Sequence, residues 1–99
     1  MRRDVVYSFD PNKNAELIKN RRVSFEMAIA ALDKEGPLDV LEHSNSSKYG
    51  HQKIYVIELN NYIYLVPFVE SENKIFLKTI FPSRKFTKRY LTKRGELNE

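Results

Sequence analysis

Two apolar runs, Lys53 to Leu59 and Tyr62 to Val69, meet across Asn60-Asn61, and this pairing limits the fold more than any other feature of the chain. Asparagine tolerates the positive φ angles of a two-residue hairpin turn, so the runs are predicted to be antiparallel strands joined by that turn. The turn fixes the register. Ile57 falls opposite Tyr64 and Tyr55 opposite Val66, giving one aromatic and β-branched face, while Ile54, Val56, Ile63 and Leu65 supply the other. A sheet apolar on both sides needs cover on both sides. Glu70 to Asn73 makes the next turn, and Ile75 to Phe81 is the third strand of a meander. Pro67 has no N–H to give a ladder, which implies a bulge or an edge beside it.

The cover comes from segments whose helix starts are written in the sequence. Asp10 can accept from a free first-turn N–H and Pro11 presets the first helical φ, so Asn12 to about Asn20 is predicted helical, with Ala15, Leu17 and Ile18 as its thin apolar face. Ser24 caps a second helix, with Phe25, Ala28, Ile29 and Leu32 at helical spacing, and Gly36-Pro37 ends it. Val5 to Phe9 and Leu38 to Leu41 read as short strands, and a polar loop from Glu42 to Gln52 holds both histidines. Ser83, after Pro82, caps a last helix that runs through Leu91 and frays near Gly95. The order predicts an α+β fold: a small antiparallel sheet, a three-strand meander plus short strands, with two N-terminal helices and one C-terminal helix. Ninety-nine residues suffice for one core, so residues 1–99 are read as a single domain.

Charge is concentrated rather than spread. Residues 74–94 hold eight Lys/Arg and no acid, whereas residues 1–73 hold nine Lys/Arg against eleven Asp/Glu. A local positive field of this kind attracts polyanions, of which nucleic acid is the commonest. The chain has no Cys, which removes disulfides, thiol nucleophiles and Cys-based zinc sites. Its N-terminus has no signal-peptide core and no run is long enough to span a bilayer, so a cytoplasmic protein without membrane contact is expected. His43 and His51, eight residues apart without Cys or an acidic cluster, are poorly spaced for a metal, and no metal site is expected. Three glycines build no phosphate-cradling loop, so no nucleotide cofactor is expected either.

The remaining inventory of Lys, Arg, Tyr, His and a few acids can cleave RNA without a metal. A base takes the 2′-OH proton, a cation stabilises the phosphorane, and an acid protonates the leaving oxygen. Arg84 is the candidate cation, because its guanidinium fork is bidentate and the helix N-terminus adds partial positive charge; the alternative is a solvated surface arginine. Lys78, read as mid-strand and opposite Leu65, is either a base or acid with a lowered pKa or a snorkelling edge lysine. Lys53, Lys85, Lys88 and Arg89 are candidate RNA-binding cations that position a phosphate backbone, against the reading of a solvated face. Phe86 and Tyr90, at i, i+4, are core contacts before they are stacking platforms. Tyr49 either stacks on a base, donates a proton or anchors its loop, and His43 and His51 are candidates for proton transfer.

Four motifs in order resemble one family: Phe9-Asp10-Pro11-Asn12-Lys13-Asn14, Val23-Ser24-Phe25-Glu26-Met27-Ala28, the aromatic and aliphatic meander, and Ser83-Arg84-Lys85. Over residues 7 to 91 the chain is similar to BrnT-type toxins of bacterial type II toxin–antitoxin modules. The resemblance implies a RelE-like fold and metal-independent cleavage of RNA, either free or associated with the ribosome. It also implies neutralisation by a cognate ribbon-helix-helix antitoxin, through which alone operator DNA is bound. Arg84 carries over onto the family pattern. Phe86 stands where the pattern has Glu, and Phe81 and Pro82 stand near its further arginine, leaving Lys78 as the nearest upstream cation. Two other functions stay open beside the ribonuclease: a non-catalytic inhibitor like the ParE toxins that act on DNA gyrase, and a plain nucleic-acid-binding module.

Overall fold

The computed structural model describes residues 5–42 and 52–93. Along the chain the elements are β1 (Val6–Ser8), α1 (Pro11–Arg21), α2 (Phe25–Lys34), β2 (Asp39–Glu42), β3 (Gln52–Leu59), β4 (Tyr62–Ser71), β5 (Lys74–Leu77), β6 (Phe81–Pro82) and α3 (Arg84–Lys93). The fold is α+β, with three helices on a six-stranded sheet of order β1-β5-β4-β3-β2, and β6 beside β4.

The hairpin forms as its sequence dictates. Asn60 and Asn61 take φ of 54° and 65°, and Ile57 pairs with Tyr64 and Tyr55 with Val66. Both helix starts are also as expected: Asp10 accepts from the Asn12 amide at 2.9 Å and Ser24 from the Met27 amide at 3.1 Å. Helix α1 differs on its buried side. Leu17 is buried but Ala15 and Ile18 are exposed, and the second inward residue is polar Asn14. Its Oδ1 accepts from the Phe25 amide at 2.7 Å and its Nδ2 donates to Glu26 Oε1 at 2.9 Å, so one buried amide joins α1 to the start of α2. That bond is the first cause holding the Glu26 carboxyl below its ordinary pKa.

The expected third strand, Ile75 to Phe81, is broken. Leu77 pairs with Phe68, but Phe81 pairs with Leu65, so three residues face two and the ladder slips by one. The slip sits beside Pro67. Its carbonyl accepts from the Lys78 amide at 2.8 Å, while the donor that would complete the pair is missing. Lys78 therefore lies outside the strands and opposite Pro67, not mid-strand opposite Leu65. The sheet is also mixed rather than wholly antiparallel, because β1 pairs parallel to β5.

The two apolar faces are both covered, by different elements. Helices α1 and α2 lie over the first, where Phe25, Ala28, Tyr55, Ile57, Val66, Phe68 and Leu77 form the larger core. Tyr55 and Phe68 stack there at 3.9 Å and Phe9 and Phe25 at 4.8 Å. The Arg21 guanidinium donates to the Ile80 carbonyl, tying the end of α1 to the segment between β5 and β6. Helix α3 covers the second face, over Val56, Ile63 and Leu65.

Candidate nucleic-acid interface

Helix α3 begins by taking over a strand's work. The Ser83 amide donates to the Ile63 carbonyl at 2.9 Å, and the Ile63 amide donates to the Thr87 hydroxyl at 2.9 Å. Thr87 in turn donates to the Ser83 carbonyl at 2.7 Å, and Ser83 Oγ caps the helix by accepting from the Phe86 amide at 3.2 Å. Thr87 is buried, so a missing partner here would cost about 1–3 kcal/mol. At the far end the Tyr90 hydroxyl lies 3.3 Å from Asp39 Oδ2 on β2. Burial first, then the Asp39 charge, pushes the Tyr90 pKa up, which keeps the phenol a neutral donor.

This anchoring decides which residues face out. Thr87 and Leu91 are buried, and Phe86 and Tyr90 are half-buried against the second core, as the core reading of those two rings expected. Arg84, Lys85, Lys88 and Arg89 are exposed, and the pairs 84/88 and 85/89 stack at i, i+4 on one side. Lys85 and Arg89 sit 5.9 and 5.4 Å from the Phe86 ring centre, in the range of a cation–π contact. The helix carries no acid, and Arg84 occupies its first turn, where the helix dipole reinforces positive charge. Such a face can hold a row of phosphates.

The other candidates are dispersed. Lys78 is exposed on the same sheet face as α3, and its ammonium donates to Gln52 Oε1 at 2.7 Å. Gln52 is buried, so a neutral amide fixes this lysine while leaving its charge uncompensated. Lys53, next to Gln52 on β3 and paired with Phe68, alternates onto the opposite face. His43, Tyr49 and His51 lie outside the described residues. Among the described residues no three His, Cys, Asp or Glu side chains gather as metal ligands. A groove of about 410 Å³ opens on the face away from α3, beside Tyr55 and Leu32, but it mixes Asp33 and Glu35 with Lys34 and does not select an anion.

Sequence reasoning missed Thr87 and Gln52. Both are polar residues whose burial depends on the position of another element, and only the Ser83 to Thr87 spacing hinted at the first. Fold and surface together define a small α+β domain that displays a basic helix on one face of a mixed sheet. Compared with known proteins, the chain matches no family model, no curated protein and no solved structure. No described helix is long and apolar enough to cross a membrane.

Proposed function

We propose that this protein is a BrnT-like toxin of a bacterial type II toxin–antitoxin module, a cytoplasmic ribonuclease that engages RNA through α3 and cuts it without a metal. The observation that carries the reading is the exposed cation face of α3, with Arg84 in the first turn and no acid along the helix. The element order, a strand, two helices, five strands that include the central hairpin, and a final helix, supports a RelE-like arrangement. In this reading Arg84 holds the scissile phosphate and stabilises the phosphorane, while Lys85, Lys88 and Arg89 position the flanking backbone. Lys78, His43 and Tyr49 are the proposed proton-transfer groups. A cognate ribbon-helix-helix antitoxin neutralises the toxin and alone contacts operator DNA.

One observation favours a second reading, binding without cleavage. Phe86 takes the place of an acid on the helix and its ring is committed to the second core and to two cations. A time course on end-labelled RNA with chelated protein separates the two. The ribonuclease reading expects cleavage by the wild type and its loss in Arg84→Ala. Intact RNA with salt-sensitive binding, with and without added ribosomes, contradicts cleavage and leaves the binding module.

A further inference from the structure

We propose that the exposed side of β5 is a single-nucleotide subsite for single-stranded RNA, in which a base stacks on Phe76 and the adjoining phosphates lie on Lys74 and Lys78. The subsite rests on the RNA reading given above and adds Lys74 and Phe76 to the Lys78 that reading already uses. Strand alternation builds it. Ile75 and Leu77 are buried in the first core, so Lys74 and Phe76 turn to the other face, and the Lys78 ammonium reaches Gln52 on that same face. An aromatic ring thus stands between two cations, each two residues away in sequence, with Lys74 about 6.6–6.8 Å back along β5 and Lys78 just past its end.

Phe76 is 41% exposed, although the residues flanking it on the core side are almost wholly buried. Its sheet neighbours are Val69 on β4 and Ser8 on β1, both smaller than a phenyl ring. Isolated exposed hydrophobics are ordinary; this one differs in its surroundings. Among the described residues no carboxylate pairs with Lys74 or Lys78, and the partner of Lys78 is an uncharged amide. Glu72, in the turn before β5, is the adjacent acid in sequence and is itself exposed. An open ring between unpaired cations suits a stacked base with its phosphates, because stacking needs one π-face and no enclosing pocket. The chain then passes through Lys78 and β6 directly into α3, on the same sheet face as the basic helix. The subsite and the helix therefore lie on one face of the sheet, which favours an extended nucleic-acid strand that reaches both over a compact ligand.

The test is fluorescence anisotropy with a labelled 2′-O-methyl oligouridylate, which has no 2′-OH to attack and so reports binding alone. Phe76→Ala is expected to weaken binding about ten- to a hundredfold and Phe76→Trp to restore it. Lys74→Gln with Lys78→Gln is expected to lower the slope of log affinity against log salt by about 1.4. Circular dichroism confirms that each exposed-site variant is folded. Wild-type affinity in Phe76→Ala, beside weakened binding in Arg84→Ala/Lys88→Ala, overturns the subsite and leaves the RNA reading standing. Loss of binding in both Phe76→Ala and Phe76→Trp overturns stacking, and a Phe76→Ala effect on self-association alone reassigns the patch to a protein contact. No binding by the wild type fails the RNA reading itself.

Discussion

The two faces of the sheet are built from the same strands yet are finished differently. The first is closed by two helices and by stacked aromatic pairs, Tyr55 with Phe68 and Phe9 with Phe25. The second is closed by α3 alone, over Val56, Ile63 and Leu65, and leaves Phe76 and Val6 exposed at its β5–β1 end. Charge follows the same division. The closed face borders a groove of mixed sign, whereas the partly open face carries Arg84, Lys85, Lys88 and Arg89 with Lys74 and Lys78. One face therefore supplies most of the apolar burial that holds the fold, and the other gives part of its area to a positive surface. Tyr55 and Phe68 are buried in the first core, whereas Phe76 is exposed on the second face.

Substitutions can break this division from either side. Phe68→Ala, in the closed face, is expected to cost about 3–5 kcal/mol in denaturant unfolding while the surviving folded fraction binds RNA normally. Thr87→Val should cost about 1–3 kcal/mol, because the Ile63 amide loses its buried acceptor, and Thr87→Ser should restore most of it. This variant is also the one stability change expected to disturb RNA binding, since it loosens the helix that carries the cations. Asn14→Ala should cost a similar amount and act only on stability, through the Phe25 amide it leaves unpaired. Glu26 sharpens that point through pH. Its folded pKa is lowered from 4.5, so its contribution is present above that value and is lost as pH falls through the depressed one. Glu26→Gln removes this acid-limb dependence in a stability-against-pH series. Smallest in stability is Arg84→Ala/Lys88→Ala, within about 0.5 kcal/mol of the wild type, with its effect confined to affinity and its salt slope.

Local chemistry in the sequence was enough for the hairpin. Asn60-Asn61 sets the turn, and period-two alternation then assigns every residue of β3 and β4 to a face, including which residues each core receives. Capping by Asp10, Ser24 and Ser83 was legible for the same reason, since each cap acts within three residues. Features that depend on a distant partner were not. The break between β5 and β6 is caused by Pro67 on the neighbouring strand, and the parallel seat of β1 depends on a strand more than sixty residues later. The same limit applies to the site. The cation face of α3 follows from helical spacing, but the separation of Lys53 from Lys78 onto opposite faces required the register and the bulge.

The most direct measurement is amide chemical-shift mapping of the labelled protein as single-stranded 2′-O-methyl RNA is added. The division between the faces predicts shifts at residues 84–89 of α3, at Phe76 on β5 and at Lys78 just after it, with Ala28 and Leu32 of α2 unmoved. Shifts centred on the groove beside Leu32 and Tyr55, or none at all, would contradict it.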